Sequence, residues 1–159
     1  MAGFDPQMDP TLFFGEFTKI LVIDPTAPVP PMVGNLVIDP SKPFTIEVEW
    51  KLKGFFVPVW LAALGGNWMV EAYASSLGPP GDNLRIAGLT VPVGSATDPK
   101  TYSATLTVLA NTLQEHVPGG NSGAYRLSIS AFLDSTLPSP GYDIVGFADG
   151  PTIKAEVPA

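Results

Sequence analysis

Cysteine is missing from all 159 residues, so neither a disulfide nor a thiolate metal site supports the fold. Histidine occurs once, at His116, too few for an imidazole-based metal site without other strong ligands nearby in sequence. Charge is scarce as well, at 14% of residues against roughly a quarter in average globular domains. Eight basic residues face fifteen acidic ones, for a net charge of −7. Lys51 and Lys53 are the densest basic pair, so a phosphate backbone would be repelled and nucleic-acid binding is not expected. Long hydrophobic runs are absent too. The longest, Phe55 to Gly66, is too short to span a bilayer and contains Pro58 and two glycines. The first residues, Met-Ala-Gly-Phe-Asp-Pro-Gln-Met-Asp-Pro, lack the basic-then-apolar layout of a secretory signal. A cytoplasmic protein is the expectation, with no membrane span and no cofactor.

What fills the chain is apolar sequence punctuated by turns. Hydrophobic residues make up 45%, enough for a buried core in one domain, and eighteen prolines and sixteen glycines divide it into short pieces. Proline breaks helices, so this pattern predicts an all-β fold. Strict alternation supports it. Phe44, Ile46, Val48, Trp50 and Leu52 alternate with Thr45, Glu47, Glu49, Lys51 and Lys53, the pattern of a strand covered on one face. Trp68, Val70, Ala72 and Ala74 share a face, as do Tyr102, Ala104, Leu106 and Val108. A further short strand is expected near Leu84 to Val93, after a Pro-Pro-Gly-Asp turn at Pro79 to Asp82. Tyr142 to Ala148 and Thr152 to Val157 read as two last strands separated by Asp149-Gly150-Pro151.

The stretch Asn121 to Phe132 is the most specific. Tyr125, Leu127, Ile129 and Ala131 point one way, and the tyrosine follows a glycine turn. In sandwich domains a tyrosine so placed ties a loop down through its phenol. On these residues the chain from about 41 to 159 resembles the immunoglobulin-like superfamily, in a cysteine-free, fibronectin type III-like form. Trp50 or Trp68 takes the core-tryptophan role, Tyr125 that of the corner tyrosine, and Leu127 the place of a cysteine. The resemblance implies an antiparallel two-sheet sandwich of about seven strands. It implies no particular activity, because such folds host many.

Residues 1–40 read as an extended, apolar N-terminal arm with edge strands. Leu12, Phe13, Phe17, Ile20 and Leu21 recur at helical spacing, yet Gly15 and the β-rich continuation favour an extended chain. Leu21-Val-Ile-Asp-Pro25 is echoed by Leu36-Val-Ile-Asp-Pro40. Each copy reads as a brief strand stopped by Asp-Pro, either both in one sandwich or one of them pairing with a neighbouring subunit.

Residues fit for catalysis are few. His116 beside Pro118 has no elbow-type nucleophile, since Ser122 lies in Gly-Asn-Ser-Gly. Glu47 and Glu49 share a solvated face with Lys51 and Lys53, and Glu71 on the next strand would crowd negative charge there. Asp82, Asp98, Asp143 and Asp149 fall in turns without a calcium-loop pattern. The glycine-rich pieces lack the lysine and helix of a phosphate cradle. No enzyme is expected.

Binding has better candidates. Gly54-Phe-Phe-Val-Pro-Val-Trp-Leu-Ala-Ala-Leu-Gly-Gly66 joins two strands where a polar loop is usual. It either closes the sandwich end, as a short strand and a helical turn capped by Gly65, or offers a patch for a partner. Phe55, Phe56 and Trp60, with Phe13, Phe14 and Phe17 of the arm, are the expected partner-binding residues. The reading is a non-catalytic structural or protein-binding subunit that self-associates or docks to a larger assembly. The alternative is a carbohydrate-binding module using Trp60, Tyr73, Tyr102 and Tyr142, and a hydrolase with an unrecognised site ranks third.

Overall fold

The computed structural model describes residues 3–25, 36–78, 81, 83–138 and 144–157. Among the described residues nine strands form two mainly antiparallel sheets around one core. The strands are β1 (Gly3–Asp5), β2 (Phe14–Ile23), β3 (Val37–Ile38), β4 (Phe44–Lys53), β5 (Asn67–Ser76), β6 (Asn83–Pro92), β7 (Lys100–Val108), β8 (Ala124–Asp134) and β9 (Val145–Ala155). One helix, α1 (Val57–Leu64), joins β4 to β5. The smaller sheet runs β2-β4-β7, and the larger runs β1-β9-β8-β5-β6 with the short β3 parallel to β9. The expected all-β, two-sheet architecture is present. No helix among the described residues is long and apolar enough to cross a membrane.

Alternation decides which side chains enter the core. Phe44, Ile46, Val48, Trp50 and Leu52 of β4 are buried, and they face Trp68, Val70, Ala72 and Ala74 of β5. The outward residues of β4 stay solvated. Glu47 pairs with Lys19 at 2.6 Å, and Glu49 accepts a bond from the Thr18 hydroxyl at 2.7 Å. Glu71 does not join them, because it lies on β5 in the other sheet.

Where the strands depart from strict period 2, a bulge is the cause. In β2, Phe17 pairs with Trp50 and Lys19 with Glu49, leaving Thr18 as the extra residue. The inward set 13, 15, 17 therefore continues as 20 and 22. Skipping Gly15, its large members Phe13, Phe17 and Ile20 mimic helical spacing, which explains the ambiguous periodicity. A second correction concerns the end of the chain. The two strands expected around Asp149-Gly150-Pro151 are one strand, β9, in which Gly150 and Pro151 together oppose only Leu127. A proline without an N–H is accommodated at such a bulge, and Asp149 lies in the strand, not in a turn.

The arm supplies β1, β2 and β3. Phe4 of β1 plugs the gap between the sheets: a β-carbon on Gly15 would come within 2.6 Å of its ring, and one on Gly146 would collide with it. Both copies of the echoed motif pair within the chain, the first in β2 and the second in β3, and they meet. The Asp39 N–H donates to the Asp24 carboxylate at 3.0 Å, with both aspartates buried. The expected turn at Pro79 to Asp82 falls largely outside the described residues.

Candidate functional site

One end of the sandwich gathers the two apolar segments that the sequence keeps forty residues apart. The chain leaves β4 through Gly54, whose φ of 130° suits only glycine and whose missing side chain avoids the Leu12 carbonyl. The Gly54 N–H donates to the Asp98 carboxylate at 2.9 Å. Phe55 and Phe56 then donate backbone bonds to the carbonyls of Thr11 and Leu12. On the arm side, the Asp9 carboxylate accepts the Thr11 N–H and hydroxyl at 2.9 and 2.8 Å, which holds its pKa below the ordinary value. The start of α1 is therefore stitched to the residues before β2.

Helix α1 has a buried side, Val57, Leu61 and Leu64, and an outward side without a single charge. Its C-terminus is closed by the Gly65 N–H to Leu61 and by Thr136, whose N–H and hydroxyl both donate to the Leu64 carbonyl at 3.0 Å. The expected helical turn capped by Gly65 is thus present. Outward, Phe55 is 75% exposed and Val59 65% exposed. Behind them runs a ladder of rings: Phe55 to Phe56 at 6.2 Å, Phe56 to Trp60 at 6.0 Å, and Trp60 to Phe13 at 5.4 Å between centroids.

The six candidate residues therefore divide. Phe13 is 2% exposed and serves the core. Phe14 and Phe17 are half-buried, the first beneath the Lys53 ammonium at 5.0 Å and the second against Phe4 at 5.0 Å. Phe56 and Trp60 are half-buried, and Phe55 projects. Phe13, Phe14 and Phe17 also line a cavity of about 430 Å³ with Phe4 and Met8. Nothing in their spacing marks Phe4 and Met8 in the sequence, and only the β1–β2 fold-back places them here.

The other candidates are held by local bonds. The Ser122 hydroxyl donates to the Ala124 carbonyl and accepts its N–H, while Glu115 accepts the Val157 N–H at 2.6 Å. Both share an open cavity with exposed His116, with no hydrogen bond joining His116 to Ser122 among the described residues. The Tyr125 phenol donates to the Gln114 carbonyl at 2.9 Å and accepts the Gln114 N–H at 3.0 Å, which is the loop anchor expected of it. Among the described residues no cluster of three or more His, Asp or Glu side chains is placed to hold a metal ion.

Of the aromatics considered for sugar stacking, Tyr102 is buried and donates to the Val93 carbonyl at 2.7 Å. Burial raises its pKa. Tyr142 lies outside the described residues. Tyr73 stands half-buried on the outer face of β5.

No protein-family model matches this chain, and no curated protein sequence matches it.

Proposed function

We propose that this chain is a non-catalytic, protein-binding β-sandwich that docks a partner polypeptide through the outward side of α1. The observation that carries the reading is the exposure of Phe55 and Val59 on a segment free of charge from Gly54 to Gly66. Isolated exposed apolar residues are ordinary, but a contiguous uncharged patch backed by half-buried aromatics is the composition of an interface centre. Phe55 is the anchor. Phe56 and Trp60 are the fixed wall behind it, since their ladder ends on a core residue. A foreign polypeptide suits the site better than a second copy, because two chains of net charge −7 repel one another. The arm strand β2 lies at the edge of the smaller sheet, paired with β4 on one side.

The finer fold assignment belongs to the same reading: an immunoglobulin-like sandwich close to the fibronectin type III form. Three features support it. The first is strand order, with β2, β4 and β7 in the places of A, B and E, and β5, β8 and β9 in those of C, F and G. The second is Trp68, fully buried on the C-like strand. The third is the Tyr125 anchor at the start of the F-like strand.

A photo-crosslinking residue at Val59 tests the docking, with one at Thr105 on the smaller sheet as reference. The expected result is a discrete polypeptide adduct from position 59 alone, suppressed by Phe55→Ser. Adducts that are absent, or equal at both positions, or indifferent to Phe55→Ser, overturn the proposal. An adduct with a second copy of this chain replaces the foreign partner with self-association.

A further inference from the structure

The outer face of the larger sheet carries a trough well apart from α1. Its central strand β8 points Ser128 and Ser130 outward between two strands that carry larger groups. On one flank Ser128 pairs with Tyr73 of β5; on the other it pairs with Asp149 of β9, and Ser130 pairs with Phe147. Two strand spacings separate the flanks, about 10 Å. Small hydroxyl side chains between two rings leave a trough of about 360 Å³, lined also by Asn83. Phe132 closes the sheet face at one end and Arg126 at the other, as outward residues of the same strand. Phe147 is 56% exposed in the middle of this polar surface.

The walls are held in place before any ligand arrives. The Tyr73 hydroxyl donates to the Glu71 carboxylate at 2.9 Å, and Arg85 donates to the same oxygen at 2.6 Å. These bonds fix the Tyr73 ring and occupy the Arg85 guanidinium. Phe147 rises from the strand between Gly146 and Ala148, whose own side is inward.

We propose that the trough between Tyr73 and Phe147 binds a neutral saccharide, one sugar ring seated over Ser128 and Ser130. A pyranose offers apolar C–H faces and a rim of hydroxyls. Two aromatic walls match the faces. The serine hydroxyls and the Asn83 amide match the rim, as donors and acceptors. The volume falls in the range of small-ligand sites. Glu71 and Arg85 are already paired with each other, which leaves the Tyr73 wall without net charge, as a neutral ligand requires.

Titration of the isotope-labelled full chain with xylohexaose, cellohexaose, maltohexaose and mannohexaose, followed by NMR, tests this. At least one is expected to shift the amides of Tyr73, Ser128, Ser130 and Phe147 at about 1 mM ligand, the weak end of specific affinity. Phe147→Ala, an exposed position that leaves the core untouched, is expected to weaken binding about three- to tenfold. Ser128→Leu fills the trough and is expected to abolish it, with thermal melting confirming that the variant folds. Phe55→Ser is expected to leave it unchanged, so this site and the docking patch stand or fall separately. Silence from every hexasaccharide, binding indifferent to both trough variants, or preference for oligogalacturonate over the neutral probes overturns the proposal.

Discussion

Two aromatic clusters in this molecule use the same residue types to opposite ends. In the centre, Trp50, Trp68 and Tyr102 pack with centroids 5.4 to 5.6 Å apart, one ring from each of β4, β5 and β7. All three are buried. At the sandwich end, Phe13, Trp60, Phe56 and Phe55 form a ladder at similar spacing that grades from core to solvent. Ring spacing therefore does not distinguish them; the backbone that carries them does. Trp50, Trp68 and Tyr102 occupy inward positions of alternating strands and so enter the interior, whereas a loop and a short helix at the sandwich end must leave one side out. Among the described residues, the central cluster even tolerates two buried indole N–H groups, on Trp50 and Trp68, without a hydrogen-bond acceptor. Such groups carry a desolvation cost, which the packing of the rings outweighs.

Stability measurements should grade along this contrast. Trp68→Ala empties the centre and is expected to cost about 3–5 kcal/mol in urea unfolding, a large part of a typical domain's stability. Trp68→Phe should recover much of that, since it removes the unpaired N–H along with part of the ring volume. Trp60→Ala, half-buried in the ladder, should cost about 2 kcal/mol. If it costs as much as Trp68→Ala, the ladder belongs to the core and the contrast fails. Tyr125→Phe keeps the ring but releases both bonds to Gln114, for about 1–2 kcal/mol; faster amide exchange in residues 113–123 is its signature.

Smaller still is the effect of the Glu71–Arg85 pair on the outer face. Hydrogen bonding from Arg85, opposed by burial and assisted by Tyr73, holds Glu71 below its ordinary value of 4.5. A depressed carboxylate contributes stability above the unfolded value, and that contribution fades as pH falls through the folded one. Wild type minus Glu71→Gln should therefore show a constant gap of under about 1 kcal/mol at neutral pH. The gap should close on acidification below about pH 4.5. Phe55→Ser should be nearly silent, within about 0.5 kcal/mol. A large loss there would move Phe55 from the docking surface into the fold.

The alternation of β4, β5, β7 and β8 was legible because each has one face in the core and one in water, so the period of 2 is written without interruption. The phenol anchor of Tyr125 was legible for a related reason: a glycine turn followed at once by an alternating strand fixes where the tyrosine must stand. Legibility failed at bulges. Thr18 in β2 and the Gly150-Pro151 pair in β9 each insert a residue that shifts the phase, so a strand resembled a helix in one case and two strands in the other. Phe147 was readable in principle, since inward Ile144, Gly146 and Ala148 place it outside. The trough it borders was not, because its floor and two walls come from three strands that neighbour one another only in the sheet.

By itself the sequence determined that this chain is built of strands, which faces of four of them are buried, and where one loop is anchored. These are local properties: side-chain period, proline punctuation and turn chemistry act within about ten residues. Which strands share a sheet, that the arm closes the sheet margins with Phe4 between Gly15 and Gly146, and which of six phenylalanine and tryptophan candidates meets solvent were decided only in three dimensions. Those outcomes depend on the filling of space between segments distant in sequence, and no periodicity within a segment records what will be packed against it.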